Sequence, residues 1–326
     1  MQYRQLINKL LIPNITEKQV VLDLFAGCGG LSLAFEAVGY KTIGYEMNPD
    51  AAATYRQNLK GDCITEKLTL DSEYPKAQIV IGGPPCQPFS VGGNQQGIHD
   101  SRNGFPIFID AIRKIKPGIF MFENVRGLLY SNKWYFELVV EELEGLGYKT
   151  NHNLLNAVNY GVPQNRERLF LVGHNSEFAF PEKERKKHTV GEAISDIMET
   201  APLESKFLTP AQDAYIANYE RASKCINPRD LYADRPARTL TCRNLSAATG
   251  DMQRVKLPDG RRRRILIREA ARLQSFPDWF KFEGTETSQY YQIGNAVPPL
   301  LAYKMALAIK DCYAKSRKSS KQLSLV

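Results

Sequence analysis

The stretch Gly82-Gly83-Pro84-Pro85-Cys86-Gln87-Pro88-Phe89-Ser90 sets a single thiol behind two glycines and two prolines, directly after a short apolar run. Prolines 84, 85 and 88 lock φ and remove backbone donors, so this backbone is too stiff and bent for a core and suits a thiol held still at a sheet edge. The plainer role of a free cysteine is a small buried hydrophobe. Glu123, in Glu123-Asn124-Val125, closes the next apolar run, which places it at the same edge as Cys86. A neighbouring carboxylate raises a thiol's pKa, and no histidine is placed as a base, since the four (99, 152, 174 and 188) are scattered. A Cys/His hydrolase is thereby excluded. The pair makes sense where the carboxyl serves a substrate and other groups activate the thiol. Gln164-Asn165-Arg166-Glu167-Arg168 supplies two arginines that point one way if the chain is extended. They are candidates to orient Glu123, bind a phosphate or favour thiolate, against the plainer reading of a solvated strand edge.

A second group of residues suits a nucleoside. Asp23-Leu24-Phe25-Ala26-Gly27-Cys28-Gly29-Gly30 follows one apolar run and opens a helical one. Glycines there let a ligand approach the backbone, and a helix N-terminus favours an anion. Glu46 lies about 20 residues beyond Gly27, where a carboxylate can hold ribose hydroxyls. Asp62 falls near the end of the next segment and is a candidate for adenine contact. The alternative is a tight turn with two surface acids.

The elements that must hold these residues alternate. Residues 19–25, 42–46, 78–81, 118–122, 149–156 and 168–173 read as short strands, and 31–38, 50–58, 105–114 and 134–146 as helices. Such alternation predicts an α/β fold with a parallel or mostly parallel sheet covered on both faces. After about residue 174 the texture turns polar, charged and turn-rich, which indicates a smaller second domain over 181–285. The first domain then comprises 1–180 and 286–326, with a strongly helical 300–312 returning to it and a Ser/Lys-rich, frayed tail from 314. The chain has 326 residues, 43% of them hydrophobic, and a formal charge of +8, a modest excess that suits a polyanion without requiring one. No leader or membrane span is expected. The six cysteines include no Cys-x-x-Cys pair, so neither a metal nor a disulfide framework is expected.

Six segments occur in a fixed order: DLFAGCGG (23–30), GGPPCQPFS (82–90), ENV (123–125), QNRERLF (164–170), REAARLQSFPD (268–278) and QIGNAVPP (292–299). Together they resemble the DNA cytosine-5 methyltransferases, especially the compact bacterial restriction–modification type, over roughly residues 20–310. The resemblance implies a Rossmann-like S-adenosylmethionine-dependent methyltransferase sheet with a smaller target-recognition domain. It implies that Phe25, Gly27, Gly29, Glu46, Met47, Asp62, Pro85, Asn295 and Val297 hold S-adenosylmethionine. Met47 stands where an aromatic residue is frequent. Cys86 then matches the nucleophile, Glu123 the acid that engages cytosine, and Arg166 and Arg168 the arginine pair near the base. Residues 87–104 match a loop that closes over DNA, with Ser90 and Arg102 at phosphate-contacting positions. Gly92 replaces the larger gap-filling residue of some relatives. Thr239-Leu240 matches the pair that anchors the recognition domain.

The chemistry needs such a set. Carbon C5 of cytosine is a poor nucleophile until a thiolate adds to C6, and charge then builds toward N3 and O2. An acid at N3 suits Glu123, and an arginine near O2 suits Arg166 or Arg168. The ring must leave the stack to be reached. DNA binding is expected of the second domain: Arg254, Lys256 and Arg261 to Arg264 as a phosphate-contacting cluster, and Arg235, Arg238, Arg243 and Asn244 as candidates for base edges. The expected partner is double-stranded DNA, with a cognate restriction endonuclease in the same system but no stable complex, a monomeric state, no membrane and a bacterial cytoplasmic, nucleoid-associated site of action. A tRNA-methylating relative lacks support, because the Cys-Phe-Thr signature of that branch is absent. A non-catalytic DNA-binding relative is disfavoured by the intact Cys86, Glu123 and Arg166.

Overall fold

The computed structural model describes residues 2–85, 103–203, 205–222, 224, 229–246 and 251–323. In chain order the elements are α1 (Tyr3–Leu10), β1 (Val20–Leu24), α2 (Gly30–Val38), β2 (Lys41–Glu46), α3 (Pro49–Asn58), β3 (Asp62–Thr65), β4 (Ile79–Gly82), α4 (Phe105–Ile115), β5 (Ile119–Val125), α5 (Gly127–Tyr130) and α6 (Lys133–Gly145). There follow β6 (Lys149–Asn156), β7 (Glu167–His174), α7 (Val190–Met198), α8 (Pro210–Ala222), α9 (Cys242–Ser246), β8 (Arg254–Lys256), β9 (Arg262–Arg264), α10 (Ile267–Leu273), α11 (Glu286–Asn295) and α12 (Pro299–Leu323). The expected α/β alternation is present.

One seven-stranded sheet has the order β3-β2-β1-β4-β5-β7-β6. The pairs among β3, β2, β1, β4 and β5 are parallel, whereas β7 runs antiparallel to both β5 and β6. The apolar runs of β1, β4 and β5 are buried on both faces, as parallel central strands must be. Alternate residues therefore feed two hydrophobic clusters. Val21, Ile79, Ile81 and Met121 face one with α2 and α12; Leu22, Val80, Phe120 and Phe122 face the other with α4 and α6. The chain leaves β1 to one side for β2 and reaches β4 on the other, which opens a crevice at the carboxyl ends of β1 and β4.

Within 181–285 the regular sheet is the β8–β9 pair, joined through Arg254↔Arg264 and Lys256↔Arg262. The segment has no separate apolar centre among the described residues. Val190, Ile194, Leu240, Leu245, Val255 and Ile265 belong to the same buried cluster as α2 and α12. The tail expected to fray from 314 is instead the continuation of α12 to Leu323. Tyr313 lies against Gly118, where an added Cβ would stand 3.1 Å from its ring, and Ser176 Oγ donates to the Cys312 carbonyl at 3.3 Å. These contacts fasten the helix at residues 312 and 313, from which it continues. No helix among the described residues is long and apolar enough to cross a membrane.

Candidate active site

The glycine loop after β1 divides its labour between residues. Phe25 and Gly27 adopt left-handed φ values of 61° and 56°, so the chain turns sharply at the strand end. The turn is fixed from β2: Ala26 N donates to Tyr45 O at 2.9 Å and Gly27 N to Glu46 Oε2 at 2.8 Å. The other oxygen of Glu46 accepts from Asn48 N at 2.7 Å. A Cβ on Gly27 would meet nothing within 4 Å, so the space over this glycine is open. Gly29 and Gly30 are in addition fixed by packing, because added Cβ atoms would stand 2.8 Å from the Tyr55 ring and 2.7 Å from Val297 O. The late segment carrying Val297 is thus seated on the start of α2, while Asn295 is exposed at the end of α11. Met47 is exposed and Pro85 half-buried.

Asp62 lies apart from Glu46. It begins β3 rather than ending it, in register with Ile43, whereas Glu46 pairs with Thr65. Three register steps separate the acids by about 10 Å along the strands, and Asp62 Oδ1 accepts from Cys63 N at 2.7 Å. The residues at the carboxyl end beside Glu46 are Ile64, Thr65 and Glu66.

Glu123 is 8% exposed, one residue beyond Phe122, which pairs with Gly82 at the end of β4. Burial raises its carboxyl pKa; Arg168 and then Arg166 oppose that shift without cancelling it. Arg168 Nε lies 2.8 Å from Glu123 Oε1. The adjacent Asn124, also buried, donates from Nδ2 to Pro84 O at 2.9 Å, and its Oδ1 accepts from Val125 N at 2.8 Å. Pro85 O accepts from Gly104 N at 2.8 Å. Both carbonyls of the Pro-Pro pair are therefore held from outside their own segment. A Cβ on Gly104 would fall 2.4 Å from Pro85 Cδ, so only glycine allows that approach. Asn124 and Gly104 were not singled out from sequence for these roles; the one signal was that Asn124 adjoins Glu123. Cys86, Ser90, Gly92 and Arg102 lie outside the described residues. Of the described cysteines, Cys28 and Cys63 are buried, and burial pushes each thiol up to about 12, which suits neither to act as a thiolate nucleophile.

The two arginines do not act alike. Arg168 reaches Glu123. Arg166 is fully buried and donates to three carbonyls, Leu240 O at 2.6 Å, Gly294 O at 2.9 Å and Ala296 O at 3.0 Å. Both arginines act on Glu123 through their charge, but Arg168 is the one ion-paired to it, while Arg166, which precedes the start of β7 at Glu167, gives its hydrogen bonds to backbone carbonyls.

Several residues expected to touch DNA are structural. Arg254 is fully buried between Glu220 and Asp230, both at 2.6 Å, and Arg263 is fully buried against Glu269 at 2.7 Å. Arg262 pairs with Asp230 and Asp213, each at 3.1 Å. Glu220, Asp230 and Asp213 come from distant positions and Glu269 from the following helix, so the run of arginines reads as a basic face only until the chain is folded. Asn244 is buried, with Nδ2 donating to Thr239 O at 2.9 Å and Oδ1 accepting from Thr241 N at 2.8 Å, which removes it from base reading. Arg261 is paired with Asp259 at 2.7 Å and stacks over Phe207. Arg235, Arg238 and Arg243 remain exposed, Arg235 paired with Asp234 and Arg238 3.7 Å from Asp251. Thr239 Oγ1 donates to Asn165 O at 2.6 Å, which ties this segment to the residue between Gln164 and Arg166.

A sheet of this order, with an open glycine turn at its crevice and a buried acid beside a Pro-Pro segment, defines a Rossmann-like methyltransferase class. Residues 20–311 match the family described as C-5 cytosine-specific DNA methylase, and the chain belongs to that family, the S-adenosylmethionine-dependent DNA methyltransferases that modify cytosine at C5. Among curated relatives, the Type II methyltransferase M.AplI of Arthrospira platensis is 58% identical over 303 residues, covering 92% of this chain and 88% of its own. The Type II methyltransferase M.FnuDI of Fusobacterium nucleatum is 34% identical, with 93% and 97% covered. Among solved structures, the methyltransferase EhMeth of Entamoeba histolytica superposes with a TM-score of 0.71 at 18% identity, covering 91% of this chain and 99% of that one, a likeness of fold.

Proposed function

We propose that this enzyme flips a target cytosine out of duplex DNA and methylates it through a covalent adduct with Cys86, as the modification half of a Type II restriction–modification system. The observation that carries the reading is Glu123: a buried carboxyl whose pKa is raised by burial, aligned by Arg168, beside the Pro84-Pro85 segment that precedes Cys86. The residues fit S-adenosylmethionine as methyl donor, since the space over Gly27 is open and Glu46 closes the adjacent strand. Phe25, Gly27, Gly29, Glu46, Met47, Pro85, Asn295 and Val297 are assigned to it, with Asp62 toward its adenine, and it supplies an electrophilic methyl group when bound.

The Cys86 thiolate adds to C6, forming one C–S bond and moving the ring's electron pair to C5. Glu123 in its acid form donates to N3, and Arg168 stabilises the charge that builds toward O2. Once C5 carries the methyl group, the C5 proton leaves to a base and the thiolate departs, which restores the ring. Thr239, Arg238 and Arg243 are assigned to DNA contact, with Ser90 and Arg102 at its phosphates, and 181–285 is the recognition segment. The enzyme acts as a monomer on the bacterial nucleoid in the cytoplasm and shields its site from a cognate endonuclease without a stable complex. The test is bisulfite sequencing of a plasmid that expresses the chain, together with trapping on a 5-fluorocytosine duplex. Methylation at one sequence context and a Cys86-linked adduct are expected; methylation without the adduct would refute the mechanism.

A further inference from the structure

Arg166 meets no carboxylate among its hydrogen-bond partners; its two terminal nitrogens donate to the backbone of two segments remote in sequence, and its buried Nε has no partner among the described residues. One is Leu240, whose carbonyl takes Arg166 at 2.6 Å and whose N–H donates to Gln164 Oε1 at 2.9 Å. Both polar groups of Leu240 are thus held by side chains of Gln164 and Arg166. The other is the turn after α11, where Gly294 O and Ala296 O bracket Asn295. Gln274 reinforces the same turn: its Nε2 donates to Ile293 O at 2.9 Å and Ala296 O at 2.7 Å, while its Oε1 accepts from Gln164 Nε2 at 2.6 Å. The two segments meet directly, since a Cβ on Gly294 would stand 2.3 Å from Cys242 N.

We infer that Arg166 is a positioning residue: with Gln164 and Gln274 it locks the entry of the recognition segment, at Leu240, to the turn that carries Asn295 and Val297 toward the cofactor, so one anchor serves both the DNA side and the cofactor side. The inference rests on the assignment of those two sides under the proposed function. Geometry makes the demand specific. Three carbonyls at 2.6–3.0 Å need a planar fork of donors, which a lysine ammonium cannot reproduce at the same three points. Loss of a charged hydrogen-bond set of this kind costs about tenfold or more in an equilibrium that depends on it.

The experiment uses the full chain and its Arg166→Lys variant. Calorimetry with S-adenosylhomocysteine in the absence of DNA, and polarisation with a duplex containing the methylated site, give two dissociation constants. Arg166→Lys is expected to weaken both by about tenfold, and to leave the pH profile of kcat unmoved because lysine keeps the positive charge that acts on Glu123. Thr239→Ala, which loses the 2.6 Å bond to Asn165 O and the DNA contact assigned to Thr239 but nothing on the turn after α11, is expected to weaken DNA alone. Wild-type constants in Arg166→Lys for either ligand, or a shifted pH profile with both constants unchanged, would overturn the inference. Should circular dichroism show that Arg166→Lys does not fold, Gln274→Met replaces it, with the same paired weakening expected and unchanged binding decisive against the anchor. A wild-type chain that binds both ligands and transfers no methyl would instead defeat the functional reading, leaving the anchor to the two binding constants.

Discussion

Replacing Asp23 by asparagine isolates the cost of an ionisable group beneath the glycine loop. Asp23 is fully buried in β1; its Oδ2 accepts from Ser32 Oγ at 2.7 Å, and its Oδ1 has no hydrogen-bond partner among the described residues. Burial pushes the carboxyl up from 3.8 to about 7, the Ser32 hydrogen bond opposes that rise and the charge of Glu46 adds to it. The folded state therefore favours the neutral acid. A raised pKa contributes stability that is full below the unfolded value near 4 and is lost as pH rises through the folded value near 7. From those two values the ionisation penalty is about 2 kcal/mol at about pH 5.5 and about 4 kcal/mol at about pH 8.5. Urea unfolding of wild type and Asp23→Asn at both pH values, without cofactor, is the assay. Asparagine does not titrate, and every other group is common to the two proteins, so the stability difference between them should move by about 2 kcal/mol in favour of asparagine across that interval. A difference that stays constant with pH would show that Asp23 is already ionised in the folded protein, and the reasoning from burial would be wrong.

Glu123→Gln should lower kcat about 100-fold or more while leaving S-adenosylhomocysteine binding unchanged. In the wild type, whose Glu123 pKa is raised by burial, the acid form and the activity should decline as pH rises through that value, a limb absent from the variant's profile. Gly104→Ala places a Cβ 2.4 Å from Pro85 Cδ, and a shift of that proline should cost about 100-fold in kcat with little change in melting temperature. Arg263→Ala leaves Glu269 buried without its partner and should destabilise the fold by about 3–5 kcal/mol in denaturant titrations. By contrast, loss of a phosphate contact would reduce the salt dependence of DNA binding and spare stability.

The candidates for the catalytic chemistry were legible in sequence because they are defined by residue type and local order. A proline-stiffened cysteine, an acid closing a strand and a glycine turn followed by Glu46 are short-range patterns, and the alternation of apolar runs carried the sheet with them. The adjacency of the ends of β4 and β5 followed from that alternation. The place of Asp62 at the start of β3 did not, because strand limits depend on pairing: Ile43, not Glu46, is its partner.

Sequence alone thus determined the fold class, the family and the candidates for reacting groups. The tertiary structure decided which charges are free. Arg254, Arg262 and Arg263 look like a DNA-facing run, yet Glu220, Asp230, Asp213 and Glu269 neutralise them after folding. Arg166 and Arg168 look equivalent, yet one holds backbone carbonyls and the other an acid. A side chain's electrostatic role depends on which groups lie within a few ångströms, and that distance is set by pairings between residues far apart in the chain.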